Sequence, residues 1–149
     1  MLDKLLSAFR NYGNFSGRAT RSEFWLFALL FAAVTVAAHF IDARDGEIVK
    51  VAAGMGAIEL LVFLLLILPL ISAGARRLHD SGRSGWWMLF FYIPNIAFVM
   101  ARDDESARIA AAGAFVIGAI MLLILFLLPG EKGENAFGPD PHDRVAKSG

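Results

Sequence analysis

No cysteine occurs anywhere in the 149 residues. That excludes disulfides, thiolate nucleophiles and sulfur-ligated metals, and it leaves the redox compartment unspecified. Charge is scarce as well. Asp, Glu, Lys and Arg make up 19% of the chain, against about 25% in ordinary soluble domains. Net charge is zero, so no positive field argues for nucleic acid as a partner. Histidine is rare too: His79-Asp80 and His142-Asp143 are isolated pairs, and His39 stands far from both in sequence. They do not form the ligand set at defined spacing that a metal site needs. No cofactor is implied.

What the chain has in abundance is apolar sequence. It is 57% hydrophobic, and its charges fall between long apolar runs. That distribution predicts an all-α integral membrane protein rather than a soluble core. Four transmembrane helices are expected, at approximately 21–41, 51–75, 86–101 and 109–128. All belong to one membrane domain, 1–149. Thr20-Arg21-Ser22-Glu23 has the form of a capping box, so the first helix is expected to start near Arg21 and to rise roughly 30 Å by Ile41. The third run is short at about 24 Å and carries Pro94-Asn95 near its middle, so it spans only with local thinning or borrowed flanks. The fourth, Ile109–Leu128, is uninterrupted.

Ahead of the first span, Leu2, Leu5, Leu6, Phe9 and Tyr12 fall on one helical face, with Lys4, Ser7 and Arg10 off it. No continuous apolar core or cleavage site of a signal peptide follows. A short amphipathic helix is expected there, lying in the headgroup layer or packed on the protein's own cytoplasmic face.

Orientation follows from the basic residues. The N-tail 1–20 and the start of the first helix hold Lys4, Arg10, Arg18 and Arg21. The loop 76–85 holds Arg76, Arg77 and Arg83, and the C-tail 129–149 holds Lys132, Arg144 and Lys147. The other two connections hold only Arg44 with Lys50, and Arg102 with Arg108. The positive-inside rule puts both termini and the 76–85 loop in the cytoplasm. Trp25, Trp86 and Trp87 stand at helix starts on that same side, at the depth indole favours. The acidic cluster Asp103-Asp104-Glu105 lacks the alternation of a calcium loop and reads as a solvated outer loop. A faint echo links Ser16-Gly17-Arg18 to Ser81-Gly82-Arg83, as duplicated halves would.

The richest segment for chemistry is Arg76-Arg77-Leu78-His79-Asp80-Ser81-Gly82-Arg83-Ser84-Gly85-Trp86-Trp87. Guanidinium forks beside glycines and an aromatic pair suit phosphate, and lipid headgroups are the nearest phosphates. The same residues, with Arg18 and Arg21, serve equally as anchors of a structural cytoplasmic motif, Asp80 pairing with an arginine. Gly82-Arg83-Ser84-Gly85 matches the G-x-S-G of intramembrane serine proteases, but no later span carries a histidine to act as base. Glu59 is the acid within an apolar run. It reads either as a proton or cation relay or, if the helix enters the membrane just before it, as an interfacial residue. Asn95 is expected as a buried hydrogen-bonder at the proline break. Ala110, Ala114 and Gly118 form a small-residue stripe suited to close helix packing, within the bundle or between copies.

Three ordered stretches are similar to one family. They are Phe15-Ser16-Gly17-Arg18-Ala19-Thr20-Arg21-Ser22-Glu23-Phe24-Trp25, then Leu68-Pro69, then the Arg76–Trp87 string. The family is the small bacterial inner-membrane proteins of domain of unknown function 805. Gly130 and Gly133-Glu134-Asn135-Ala136-Phe137-Gly138-Pro139-Asp140-Pro141 resemble its closing motif, with Phe137 where tyrosine is frequent. The resemblance runs from about Phe15 to Pro141 and implies a bacterial inner-membrane location, without a catalytic residue or substrate. It also suggests that the pre-helix segments and the C-tail fold together on one face, the arginines meeting Glu23, Asp80 or Asp140.

The expected function is that of a non-catalytic scaffold or partner subunit, or a lipid-interacting membrane protein. Its partners would be membrane lipids with anionic headgroups, a second copy, or other membrane proteins. The alternative is a small transporter or channel component using Glu59 and Asn95. An intramembrane enzyme is the remote alternative, since no nucleophile–base pair or metal set appears.

Overall fold

The computed structural model describes residues 2–44, 55–101 and 104–141. Lys50, Arg102, Asp103, His142, Asp143, Arg144 and Lys147, and the first residues of the expected span 51–75, lie outside the described residues. The elements in order are α1 (Leu2–Arg10), α2 (Arg21–Asp42), α3 (Ala57–Asp80), a 3-10 turn (Gly85–Met88), α4 (Leu89–Met100) and α5 (Glu105–Leu127). Among the described residues there is no strand; one antiparallel bridge joins Asn135 and Gly138. Three helices among them, α2, α3 and α5, are long and apolar enough to cross a bilayer. α4 has 12 residues, which at helical rise reach about 18 Å.

Several boundaries differ from expectation for physical reasons. α3 starts at Ala57, not at residue 51, where the Asp42 carboxylate accepts the Ile58 and Glu59 amides. α3 does not stop at residue 75 but continues through Arg76-Arg77-Leu78-His79-Asp80. The extra turn places Arg77 and Asp80 one helical step apart, where they form an ion pair at 2.5 Å. α5 begins at Glu105, not in the apolar run, because Asp104 caps it: its side chain accepts from the Ala107 amide at 2.9 Å. Asp104 and Glu105 thus serve a helix N-terminus, whose dipole favours acids, rather than a free outer loop.

The chain divides into two compact units. The first comprises Met1–Phe15 and Ser22–Ala73. Within it α1 is tied to α2 and α3. Ala8 is buried, the Phe9 ring meets Phe27 edge-on at 5.3 Å, and Lys4 Nζ donates to Ser22 Oγ at 2.8 Å. Tyr12 Oη donates to the Leu65 carbonyl at 2.7 Å, and Ser72 Oγ to the Asn11 carbonyl at 3.1 Å. Leu2 and Leu6 of α1 stay exposed. α2 meets α3 through Phe31 and Phe63, ring centroids 6.1 Å apart. At the other end of this pair, both carboxylate oxygens of Asp42 accept amides at the start of α3, from Glu59 at 2.8 Å and Ile58 at 3.2 Å. The last residue of one helix therefore caps the next.

The second unit comprises Ser16–Arg21 and Gly74–Gly149. Here α4 packs along α5, with Phe91 against Phe115 at 4.8 Å between ring centroids. They approach closely at Gly118, where an added Cβ would collide with the Phe90 carbonyl oxygen. That carbonyl lies four residues before Pro94, which has no N–H to give it. It is turned instead onto the bare backbone of Gly118, the geometry of a Cα–H···O contact. Of the small-residue stripe, Gly118 is thus used inside the unit, while Ala110 and Ala114 remain exposed.

Candidate functional site

Asp80, the last residue of α3, is buried, as are Arg18 and Arg77. The carboxylate lies between the two guanidiniums. Oδ1 accepts from Arg18 Nε at 3.0 Å, and Oδ2 accepts from Arg77 Nη1 at 2.5 Å. Two cations on one anion would leave uncompensated charge in a dry interior, a costly arrangement unless other dipoles meet it. Main-chain carbonyls do so. Arg77 Nε donates to Phe126 O at 3.1 Å and its Nη2 to Leu128 O. Arg21 Nη1 reaches Leu127 O at 3.4 Å. These three successive carbonyls belong to the C-terminal end of α5, where carbonyls lack helical partners and the dipole is negative. Arginine side chains therefore cap that helix.

Arg18 gathers the segment after α5. Its Nη1 donates to Gly133 O at 2.5 Å and more loosely to Gly138 O at 3.4 Å, and its Nη2 donates to Glu131 O. The same segment is stitched to the end of α3. The Glu131 amide donates to Asp80 O at 2.8 Å, and Asn135 Nδ2 donates to His79 O at 3.0 Å. Asp140 Oδ2 accepts the Gly133 amide at 3.1 Å. Gly130 must be glycine, since a Cβ there would strike the Asp80 carboxylate. The His79 ring stacks on Phe137, centroids 4.1 Å apart and planes within 5°. Its Nδ1 lies 3.1 Å from Gly17 O. A carbonyl only accepts, so that nitrogen carries the proton. Ala19 N donates to Arg76 O at 3.0 Å. The pre-helix segment, the end of α3 and the C-terminal segment thus close on one carboxylate.

The clasp residues from Arg18 to Gly138 lie within the segment that a family model matches. The model for Protein of unknown function (DUF805) matches residues 12–139. The chain belongs to that family. Among proteins similar to it, the inner membrane protein YhaH of Escherichia coli K12 is 33% identical over 140 residues, covering 94% of this chain and 97% of its own. The inner membrane protein YhaI of the same strain is 33% identical over 136 residues, covering 91% and 92%. The uncharacterized protein YiiR is 27% identical over 137 residues, covering 87% of each chain. With three membrane-capable helices among the described residues, this DUF805 chain is an inner-membrane protein. No solved structure matches it.

The other residues singled out in the sequence divide in two groups. Arg18 and Arg77 are consumed by Asp80 and carbonyls, so the phosphate reading does not hold for them: no guanidinium edge faces outward. Arg76 is buried. Arg21 is exposed, and Arg83 is half-buried, giving one N–H to Ser81 O at 2.9 Å. Arg18 and Arg83, paired by the sequence echo, therefore have unlike surroundings. Trp86 and Trp87 are exposed, Trp87 stacking on Phe90 at 5.4 Å. Ser84 caps the 3-10 turn, its side chain accepting from Trp86 N at 3.4 Å.

Glu59 sits in the first turn of α3, and its Oε2 lies 3.0 Å from His39 Nδ1. The His39 side chain is 52% exposed, which puts the pair at the helix ends rather than inside a closed core. Asn95 departs from expectation: it is exposed, not a buried hydrogen-bonder. The proline break it was expected to serve is served by Gly118. Among the described residues no group of three or more His, Asp or Glu is placed to hold a metal ion. The capping role of Asp42 and the carbonyl-binding role of Arg18 had no signal in the sequence, because both depend on segments distant in the chain.

Proposed function

We propose that this chain is a non-catalytic scaffold of the inner membrane, spanning it four times with both termini and the arginine clasp in the cytoplasm. One observation carries the reading. Arg18, Arg77 and Asp80 are buried on one another and on main-chain carbonyls, so these charges hold chain segments together instead of meeting a substrate. The third of these spans is α4 with its preceding 3-10 turn, short enough to require a locally thinned bilayer. Basic residues on the clasp side and their scarcity in the other connections support the orientation.

Transport through Glu59 is the second reading, and the His39–Glu59 contact is the observation in its favour. Membrane-ionisable residues default to function, but Glu59 lies in a first helical turn beside an exposed histidine.

Two experiments test the proposal. Reporters fused after Gly149 and inserted after Lys50 should read cytoplasmic and outer respectively; an outer signal at Gly149 overturns the topology. Native-membrane copurification with mass spectrometry should give a defined protein partner or a self-assembly. A proton or cation flux in liposomes that Glu59→Gln abolishes would replace the scaffold reading with the transport one.

A further inference from the structure

Away from the clasp, α4 and α5 leave an open groove of about 660 Å³ between them. Phe90 and Ile93 form one wall, Ala114, Ile117 and Met121 the other, and Trp86 stands at one end. That volume falls in the range of roughly 300–1,000 Å³ usual for small-molecule sites. Apart from the Trp86 indole, no side chain lining it carries a charge or a hydrogen-bonding group. Ile93 and Ile117 are exposed on its rims. Along a helix of the length and hydropathy of α5, the medium beside those rims is hydrocarbon.

The end of the groove has a different character. Trp86 is 75% exposed, and tryptophan concentrates at headgroup depth. Three residues before it in the chain is the half-buried Arg83, whose Nη1 donates to Ser81 O, leaving the rest of its fork for an anion. Among the arginines of the family string it differs from Arg77, which is saturated within the protein. An apolar slot lined at one end by an indole, with an arginine three residues before that indole in the chain, has the charge and polarity pattern of a phospholipid, chain in the slot and phosphate at the guanidinium. The apolar helix of a second copy would fill the slot but leave Arg83 unanswered.

We propose that the α4–α5 groove binds one acyl chain of an anionic phospholipid whose headgroup phosphate is held by Arg83. The site is independent of the scaffold reading and of the orientation of the chain, requiring only that α5 lie in the bilayer.

The test uses the full chain in nanodiscs of phosphatidylcholine with phosphatidylglycerol as the minor lipid, released for native mass spectrometry. The wild type should retain phosphatidylglycerol in preference to phosphatidylcholine. Ala114→Phe fills the slot from an exposed position and should lower retained lipid roughly tenfold. Arg83→Gln should lower the headgroup preference by about tenfold while leaving acyl retention, as loss of a charged hydrogen bond predicts. Val116→Phe, exposed but outside the groove, should change neither. Ile117→Trp replaces Ala114→Phe if circular dichroism and melting show that the latter does not fold. A folded groove-filling variant that retains lipid like the wild type overturns the proposal. So does a wild type with no headgroup preference. A dimer that Ala114→Phe dissolves, with no lipid retained, would assign the groove to a second copy instead.

Discussion

Tyr12 Oη donates to the carbonyl oxygen of Leu65 at 2.7 Å, and Leu65 is the residue whose helical hydrogen bond Pro69 removes. Proline has no N–H, so the carbonyl four residues earlier in α3 loses its partner. In a membrane helix such a carbonyl must be satisfied by something other than water. The N-terminal segment supplies the donor. The second intrahelical proline, Pro94, is met by other means: Phe90 O turns onto Gly118. Each break in a helix is therefore also a docking point for another segment of its own unit.

If that is the role of Tyr12, its hydroxyl matters only while Pro69 is present. Tyr12→Phe should destabilise the protein by about 1 kcal/mol in detergent unfolding. In a Pro69→Ala background, where the helix regains its own bond, the same substitution should cost close to nothing. Equal costs in both backgrounds would show that the hydroxyl acts elsewhere.

Removing one member of the clasp leaves charge buried without a counterpart. Asp80→Ala should cost about 3–5 kcal/mol, the range for breaking a buried pair from one side, with loss of folded protein from the membrane. Arg77→Lys should not rescue function of the site, since one ammonium cannot reach Asp80, Phe126 O and Leu128 O together as a planar fork does. Abundance and thermal melting report both. Wild-type melting for Arg77→Lys would mean that charge alone, not fork geometry, holds α5.

The Gly118 approach can be read by crosslinking, because the absence of native cysteine makes an introduced pair unambiguous. Cysteines at Phe91 and Phe115, whose ring centroids are 4.8 Å apart, should be bridged in the membrane by a short bifunctional thiol reagent, whose reach exceeds that of a direct disulfide. Gly118→Val should suppress that crosslink and cost about 1–3 kcal/mol as an overpacked contact. Undiminished crosslinking in Gly118→Val would mean that α4 and α5 do not need this approach.

At the far end of α2, Asp42 and Glu59 should behave differently despite their proximity. Asp42→Ala removes the cap from the first amides of α3 and should cost about 1 kcal/mol. Glu59→Gln keeps a hydrogen-bonding side chain beside His39 and should melt within a few tenths of a kcal/mol of the wild type. The reverse order would point to Glu59, not Asp42, as the residue that fixes the start of α3.

The helices themselves were legible to within a few residues at their ends. The apolar runs, the amphipathic face of Leu2–Arg10 and Thr20 just before α2 placed α1, α2 and most of α5, because hydrophobic period and capping are local properties. The Arg76–Trp87 string drew attention for the same reason, its residues being contiguous, and it contains the Arg77 and Asp80 of the clasp. What the linear chain left open was how each charge is answered. Whether Arg18 and Arg77 face lipid phosphate or Asp80, whether Asp42 caps α3, and whether Gly118 packs inside the chain all depend on segments far apart in sequence. Buried charges and orphaned carbonyls are satisfied by whatever group the fold brings within hydrogen-bond reach. Composition and periodicity therefore determined a helical membrane protein with arginines beside its spans. Only the tertiary structure decided that Arg18 and Arg77 turn inward, since only there do main-chain carbonyls of the C-terminal part and the Asp80 carboxylate meet them.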